Sequence, residues 1–124
     1  MSHAHHTLHE LDAAEVHALL RAHQAELIDV REPPEFEAER IPGALLFPLS
    51  GFDAALLPVD PNKRLILQCG TGRRSAMAAQ KLFAAGFREA THLKGGITAW
   101  KQAGLPTIAF DPATGGVRTM RHVS

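Results

Sequence analysis

One short segment of this chain gathers the residue types that nucleophilic chemistry on an anionic substrate requires: Leu67-Gln68-Cys69-Gly70-Thr71-Gly72-Arg73-Arg74-Ser75. The apolar run Arg64–Gln68 reads as a central strand buried on both faces, and it leads straight into Cys69. Gly70 and Gly72 permit backbone conformations that turn successive N–H groups inward as an anion-binding nest. A helix beginning near Arg74 adds its partial positive N-terminus to the same point, and Arg73 and Arg74 add full charges. A thiol of ordinary pKa, about 8.5, becomes a thiolate at neutral pH when such donors surround it. The thiolate is the nucleophile, and the same donors would hold a persulfide anion. Ser75 is placed either to hydrogen-bond the sulfur or to cap the backbone. The segment also suits a phosphate-binding loop with an incidental cysteine, or a cysteine serving only as a small buried side chain.

The elements that must position this loop follow from the apolar pattern. Val16, Leu19 and Leu20 share one face of a helix from Ala13 to His23, with Asp12 placed to cap it. A strand is expected at Glu26–Val30, and Pro33 and Pro34 open a helical turn carrying Glu35 and Phe36. Ile41-Pro42-Gly43-Ala44 is a turn leading into a short strand, Ala44–Phe47. Phe52–Leu57 is expected as a helix ended by Pro58. The helix after the cysteine loop runs from about Arg74 to Ala85, with Gly86 as its C-cap. A last strand at Ala90–Leu93 precedes Gly95-Gly96 and a helix from Ile97 to Ala103, in which Trp100 is expected to be core. Strands and helices alternating in this way predict an α/β fold: a mostly parallel sheet with helices on both faces. Ligands then bind at the carboxyl ends of strands, where Cys69 falls.

Bulk properties narrow the function further. The 124 residues suffice for one domain, and 45% hydrophobic with 21% charged residues is the composition of an ordinary globular protein. A formal net charge of zero gives no reason to expect a nucleic-acid or membrane-surface partner. No apolar run approaches the roughly 18 residues of a membrane span, and the polar, histidine-rich start lacks the apolar stretch of a signal peptide. A soluble cytoplasmic protein is therefore expected. The single cysteine excludes an internal disulfide and a cysteine-built zinc cluster. His3, His5, His6 and His9 are expected to belong to a flexible tail rather than to bind metal, and His17 and His23 to be surface residues. The expected organisation is a tail at 1–8, a domain at 9–109 and a C-terminal tail at 110–124, which has no convincing periodicity.

Four motifs together resemble the rhodanese family: Leu27-Ile28-Asp29-Val30-Arg31 followed by Glu35-Phe36; Arg40-Ile41-Pro42-Gly43-Ala44; Cys69-Gly70-Thr71-Gly72-Arg73-Arg74-Ser75; and Lys94-Gly95-Gly96-Ile97-Thr98-Ala99-Trp100. The resemblance extends from about Leu11 to Ile108. It implies the rhodanese α/β fold, a persulfide on Cys69, and substrate bound by the loop Cys69–Arg74. The implied activity is transfer of sulfane sulfur from an anionic donor such as thiosulfate to cyanide or a thiol, with no metal or organic cofactor. Asp29 and Arg31 are expected to pair and brace the strand end, and Phe36 and Phe47 suit either pocket wall or core. Glu39-Arg40 and Leu46 depart from the common family pattern at scaffold positions. Met120-Arg121-His122-Val123 resembles the stretch that joins some bacterial rhodanese domains to a membrane hairpin.

Three other readings compete. The opening Cys-Gly-Thr-Gly resembles mercaptopyruvate sulfurtransferases, although the paired arginines favour dianionic thiosulfate by charge matching. A sulfur carrier passing its sulfur to a partner protein would use the same Cys69. A Cdc25-like phosphatase needs a Cys-x5-Arg loop, and here the helix-opening arginine, Arg74, comes one residue too early.

Overall fold

A computed structural model describes residues 5–123. Its centre is a five-stranded sheet of β1 (Thr7–Leu11), β2 (Ala25–Asp29), β4 (Leu45–Leu46), β5 (Arg64–Gln68) and β6 (Glu89–Leu93). The spatial order is β1-β6-β5-β2-β4, and every pairing in it is parallel. β5, with consecutive buried Ile66, Leu67, Gln68, is central, as its apolar run requires. The helices α1 (Ala13–Arg21), α2 (Pro33–Ala38), α3 (Arg73–Ala84) and α4 (Gly96–Gln102) complete the architecture.

Both faces of the sheet are covered, so the core is split in two. On one face Ala78, Ala79, Leu82 and Phe83 of α3 pack with Ile28, Val30 and Leu67. The small alanines let α3 approach the strands closely, which brings its N-terminus to the end of β5. On the other face Ala13 and Val16 of α1 meet Ile97 and Trp100 of α4 over Leu27, Ile66 and Leu93. Trp100 is fully buried, and its indole N–H donates to the Pro106 carbonyl at 2.8 Å. Asp12 caps α1 by accepting the Glu15 N–H at 2.8 Å, while the Glu15 side chain returns to the Asp12 N–H. His17 lies edge-on to Trp100, and exposed His23 takes a positive φ where the chain leaves α1.

A second, antiparallel sheet joins β3 (Glu39–Arg40), β7 (Thr107–Phe110) and β8 (Val117–Met120) in the order β3-β7-β8. Residues 110–124, expected as a tail, instead carry β8. Three of its four residues are exposed, so backbone pairing rather than an apolar face holds the strand, and no sequence period reveals it. The boundary expected after residue 8 falls inside β1, whose two leucines, Leu8 and Leu11, are three apart and serve opposite faces of the sheet, so no strand period shows in the sequence. His9 is thus a strand residue bonded to Glu89, and His6 stacks on Phe83. His3 and the rest of residues 1–4 lie outside the described residues. The helix expected at Phe52–Leu57 is replaced by two 3₁₀ turns, Leu49–Gly51 and Ala54–Leu56, with Asp53 capping the second. Only Leu57 of that segment is buried, too little apolar surface to hold a longer helix.

Candidate active site

Cys69 follows the last residue of β5 and is itself 1% exposed. Between it and α3 the chain needs only Gly70, Thr71 and Gly72. Gly72 serves as the N-cap of α3 at φ 103°, a conformation that glycine adopts without a Cβ clash. That turn aims the Gly72 N–H at the cysteine, which it reaches at 3.1 Å from Sγ. The Ser75 hydroxyl lies 3.5 Å from Sγ and 3.2 Å from the Gly72 carbonyl, so both roles expected of this serine are in reach of one rotamer. Burial pushes the Cys69 thiol up. The Ser75 hydroxyl and the N–H groups of Ser75, Gly72 and Thr71 outweigh that, holding the thiol below its ordinary value. The loop thus offers a nucleophilic sulfur lined by donors.

The loop's carbonyls are held from the other side. The Ile97 N–H at the start of α4 donates to the Cys69 carbonyl at 2.8 Å, and the Thr98 N–H to the Gly70 carbonyl at 3.1 Å. This contact explains the glycine pair before α4. A Cβ on Gly96, which has φ +58°, would overlap the Cys69 carbonyl, and one on Gly95 would stand 2.6 Å from the Ala99 Cβ. Gly96→Ala is therefore expected to destabilise the domain by about 2 kcal/mol or more, from overpacking and a strained backbone together. A urea melt checks this, and loss of the slowed-amide signature of Ile97 in hydrogen exchange would locate the damage.

Arg74 does not hang free over the loop. Its two terminal nitrogens donate to the two carboxylate oxygens of Glu35 on α2, at 2.6 and 2.9 Å. Its Nη2 lies so near Gly70 that a Cβ there would meet it at 3.3 Å. The guanidinium is thus pinned beside the loop, while Arg73 and Thr71 are exposed. The Arg74 hydrogen bond holds the Glu35 carboxyl down at about 2, against an ordinary 4.5. A depressed folded value means that the ion pair stabilises fully above pH 4.5 and is lost as pH falls toward 2. Both side chains are about a third or more exposed, so its worth is held to about 1 kcal/mol or less. Glu35→Gln is expected to lower the urea midpoint at pH 7, and the two proteins should converge as pH drops from 4.5 toward 2.

Asp29 and Arg31 form the expected pair. Asp29 is buried at the end of β2 and accepts from the Arg31 backbone N–H at 2.9 Å, from Nε at 3.1 Å and from Nη2 at 2.9 Å. Arg31 Nη2 also donates to the Glu39 carbonyl at 2.6 Å. The Glu39 carboxylate in turn takes Lys101 and Thr107, so the pair ties the end of β2 to β3, α4 and β7. Neither residue hydrogen-bonds the cysteine loop. Phe47 packs on the α3-side core, and the Phe36 ring lies under Arg40, 5.1 Å from its guanidinium carbon.

Two residues at the site were given no role there by the sequence. Glu35 holds Arg74, and His92 on β6 lies 2.7 Å from the Ser75 hydroxyl through Nδ1. The available signal for His92 was a histidine inside an otherwise buried strand, a residue type that rarely sits there without a partner. Among the described residues no group of three or more His, Cys, Asp or Glu side chains is arranged to hold a metal ion. Among the same residues no helix is long and apolar enough to cross a membrane.

Comparison with known proteins gives a consistent picture. The rhodanese-like domain family matches residues 12–103. An uncharacterized protein of Synechocystis sp. is 48% identical over 97 residues, which is 78% of this chain and 53% of that protein. A protein of Allochromatium vinosum named sulfurtransferase is 32% identical over 67% of this chain and 78% of its own length. The crystal structure of thiosulfate sulfurtransferase from Pseudomonas aeruginosa superposes with a TM-score of 0.72 at 33% identity, over 81% of this chain and 20% of that one. The chain therefore spans about half of the Synechocystis protein and a fifth of the Pseudomonas one.

Proposed function

Because this chain belongs to the rhodanese-like domain family, we propose that it moves sulfane sulfur from an anionic donor to a thiophilic acceptor, with Cys69 carrying the sulfur as a persulfide. The observation that carries this reading is the Gly72 N–H aimed at Cys69 Sγ from 3.1 Å, inside a loop only four residues long between Cys69 and Arg74. A ring this small encloses one sulfur atom and is short of the length that wraps a phosphoryl group.

Thiosulfate is the proposed donor. The Cys69 thiolate attacks its outer sulfur; the S–S bond of thiosulfate breaks and its electron pair leaves with sulfite. Cys69 is left as a persulfide anion, its charge facing the amides of the loop and the N-terminus of α3. Cyanide or a thiol then attacks the terminal sulfur and releases the thiolate, completing a ping-pong cycle in which total charge is conserved. Arg73, exposed at the rim, attracts the dianion. Arg74, held by Glu35, keeps the loop in shape and contributes its charge from the side. The Pseudomonas thiosulfate sulfurtransferase supports this choice of donor. No metal or organic cofactor enters either step, and a cytoplasmic setting suits a chain with one thiol to keep reduced.

Intact mass spectrometry tests the reading. Purified protein is incubated briefly with thiosulfate, then with cyanide. A gain of one sulfur atom that cyanide removes is the expected result. No gain with thiosulfate but a gain with mercaptopyruvate would change the donor; no gain with either would overturn the enzyme reading.

A further inference from the structure

The buried histidine on β6 is used by nothing in the transfer steps just described, yet it stands in a continuous line of hydrogen-bonding groups that ends on the nucleophile. Cys69 Sγ is 3.5 Å from Ser75 Oγ, Ser75 Oγ is 2.7 Å from His92 Nδ1, and His92 Nε2 is 2.9 Å from Glu10 Oε2. The four groups come from the end of β5, the start of α3, β6 and β1. Ser75 is fully buried and the His92 ring is 4% exposed, whereas the Glu10 carboxylate is half exposed at the sheet edge. A buried line with one end on the reacting sulfur and the other at solvent has the form of a proton path.

Donor accounting gives it a direction. An ionised Glu10 can only accept, so His92 Nε2 carries a hydrogen. In the neutral ring Nδ1 is then bare and accepts the Ser75 O–H, leaving Ser75 Oγ to accept the Cys69 S–H. Ser75 has one hydrogen, and the 2.7 Å contact to Nδ1 takes it in preference to the Gly72 carbonyl at 3.2 Å. The Ser75 hydroxyl, however, points away from the sulfur, and the thiol keeps its proton. If the thiol proton passes to Ser75 Oγ and the Ser75 proton to His92 Nδ1, the Cys69 thiolate then accepts a hydrogen bond from the new Ser75 O–H, Ser75 Oγ accepts one from Nδ1–H, and the imidazolium faces the Glu10 carboxylate. No atom is gained or lost, and the new positive charge lies between two oxygens that accept from it.

We propose that Ser75, His92 and Glu10 are an internal relay that takes up the Cys69 thiol proton, with His92 and Glu10 acting as positioning residues through the Ser75 hydroxyl. This deepens the reading of Cys69 as nucleophile and rests on it. The groups facing His92 are Glu10 from β1, Ser75 from α3 and Gly72 of the loop, where a Cβ would meet the His92 ring at 3.9 Å. Glu89 on its own strand and Lys94 just past the strand's end are both exposed. The sequence distance between His92 and Glu10, 82 positions, explains why neither residue stands out in the linear pattern.

The test is the pH dependence of Cys69 alkylation by iodoacetamide, which needs no sulfur donor or acceptor. Glu10→Gln keeps an acceptor for Nε2 but removes the charge, on a side chain that is half exposed. Its alkylation midpoint is expected to move up by about one pH unit, which is about tenfold slower reaction at neutral pH. His92→Asn, folded by the criterion of an unchanged thermal melt, is expected to shift the midpoint at least as far, and the double variant no further than His92→Asn alone. Coincident profiles for wild type and Glu10→Gln would overturn the relay. Sulfur uptake measured by mass on the same samples separates the two ideas. A shifted profile without uptake keeps the relay and removes the sulfurtransferase reading, and uptake with coincident profiles does the reverse.

Discussion

Cys69→Ser is expected to reduce sulfur transfer by at least about 1,000-fold, the scale on which loss of a covalent nucleophile acts. The hydroxyl is nearly the same size as the thiol. It keeps the Gly72 N–H and Ser75 as partners, so the fold should survive with a change of about 1 kcal/mol. What disappears is the anion. A serine hydroxyl is not ionised by donors that suffice for a thiol, and an oxygen cannot carry the transferred sulfur as a persulfide. Two measurements on one sample decide the matter: thiocyanate release from thiosulfate and cyanide, and intact mass after thiosulfate alone. The variant should show neither activity nor added mass while melting within a few degrees of the parent. Retained turnover would place the sulfur elsewhere, and this chain has no second cysteine to receive it.

Asp29→Ala is expected to cost 3–5 kcal/mol, on the order of the penalty for leaving one member of a buried ion pair without its partner. Arg31 is held with its side chain 7% exposed, and all but one of its hydrogen bonds go to Asp29. Without the carboxylate, the guanidinium must either remain buried and unpaired or pull out and leave a hole where β2, β3 and β7 meet. Against a total stability of about 5–15 kcal/mol, either outcome is severe. Replacing both residues, as in Asp29→Leu with Arg31→Met, should recover much of the loss, because no charge is then stranded. Urea unfolding of the two variants measures the difference. A loss below about 1 kcal/mol for Asp29→Ala would mean that water reaches the pair.

The comparison of sequence and structure divides along contact distance. The loop from Cys69 to Ser75 was legible because strand end, glycines, arginines and helix start follow one another in the chain, and its geometry depends on neighbours three to six residues away. The α3 helix, expected from about Arg74 to Ala85, runs Arg73–Ala84. Asp29 and Arg31 were legible for the same reason: residues two apart on an extended chain point to one side. What the pattern did not reveal is the set of partners brought in from elsewhere. Glu35 reaches Arg74 across 39 positions and Glu10 reaches His92 across 82. Neither carboxylate differs in type or setting from an ordinary surface residue until the sheet is assembled. β3, β7 and β8 went unread because the strands of the second sheet are held by backbone pairing with one another, which leaves no apolar period.

The strand order β1-β6-β5-β2-β4 also bears on how the molecule is made. Among the described residues β1 is the first strand, and its neighbour in the sheet is β6, one of the later ones. Closing that long loop is entropically slow, and nothing nearer in sequence offers β1 a place beforehand. During synthesis the β2–β5 pairing and α3 can assemble around the cysteine loop while β1 still waits. If β1 is the last strand to seat, the loop around the nucleophile forms before Glu10 arrives, and the seating of one edge strand is the step at which reactivity of the thiol would be switched on. Refolding followed simultaneously by tryptophan fluorescence and by the rate of Cys69 alkylation would separate the two events in time, with Trp100 reporting the packed core first and the thiol reaching its full reactivity last.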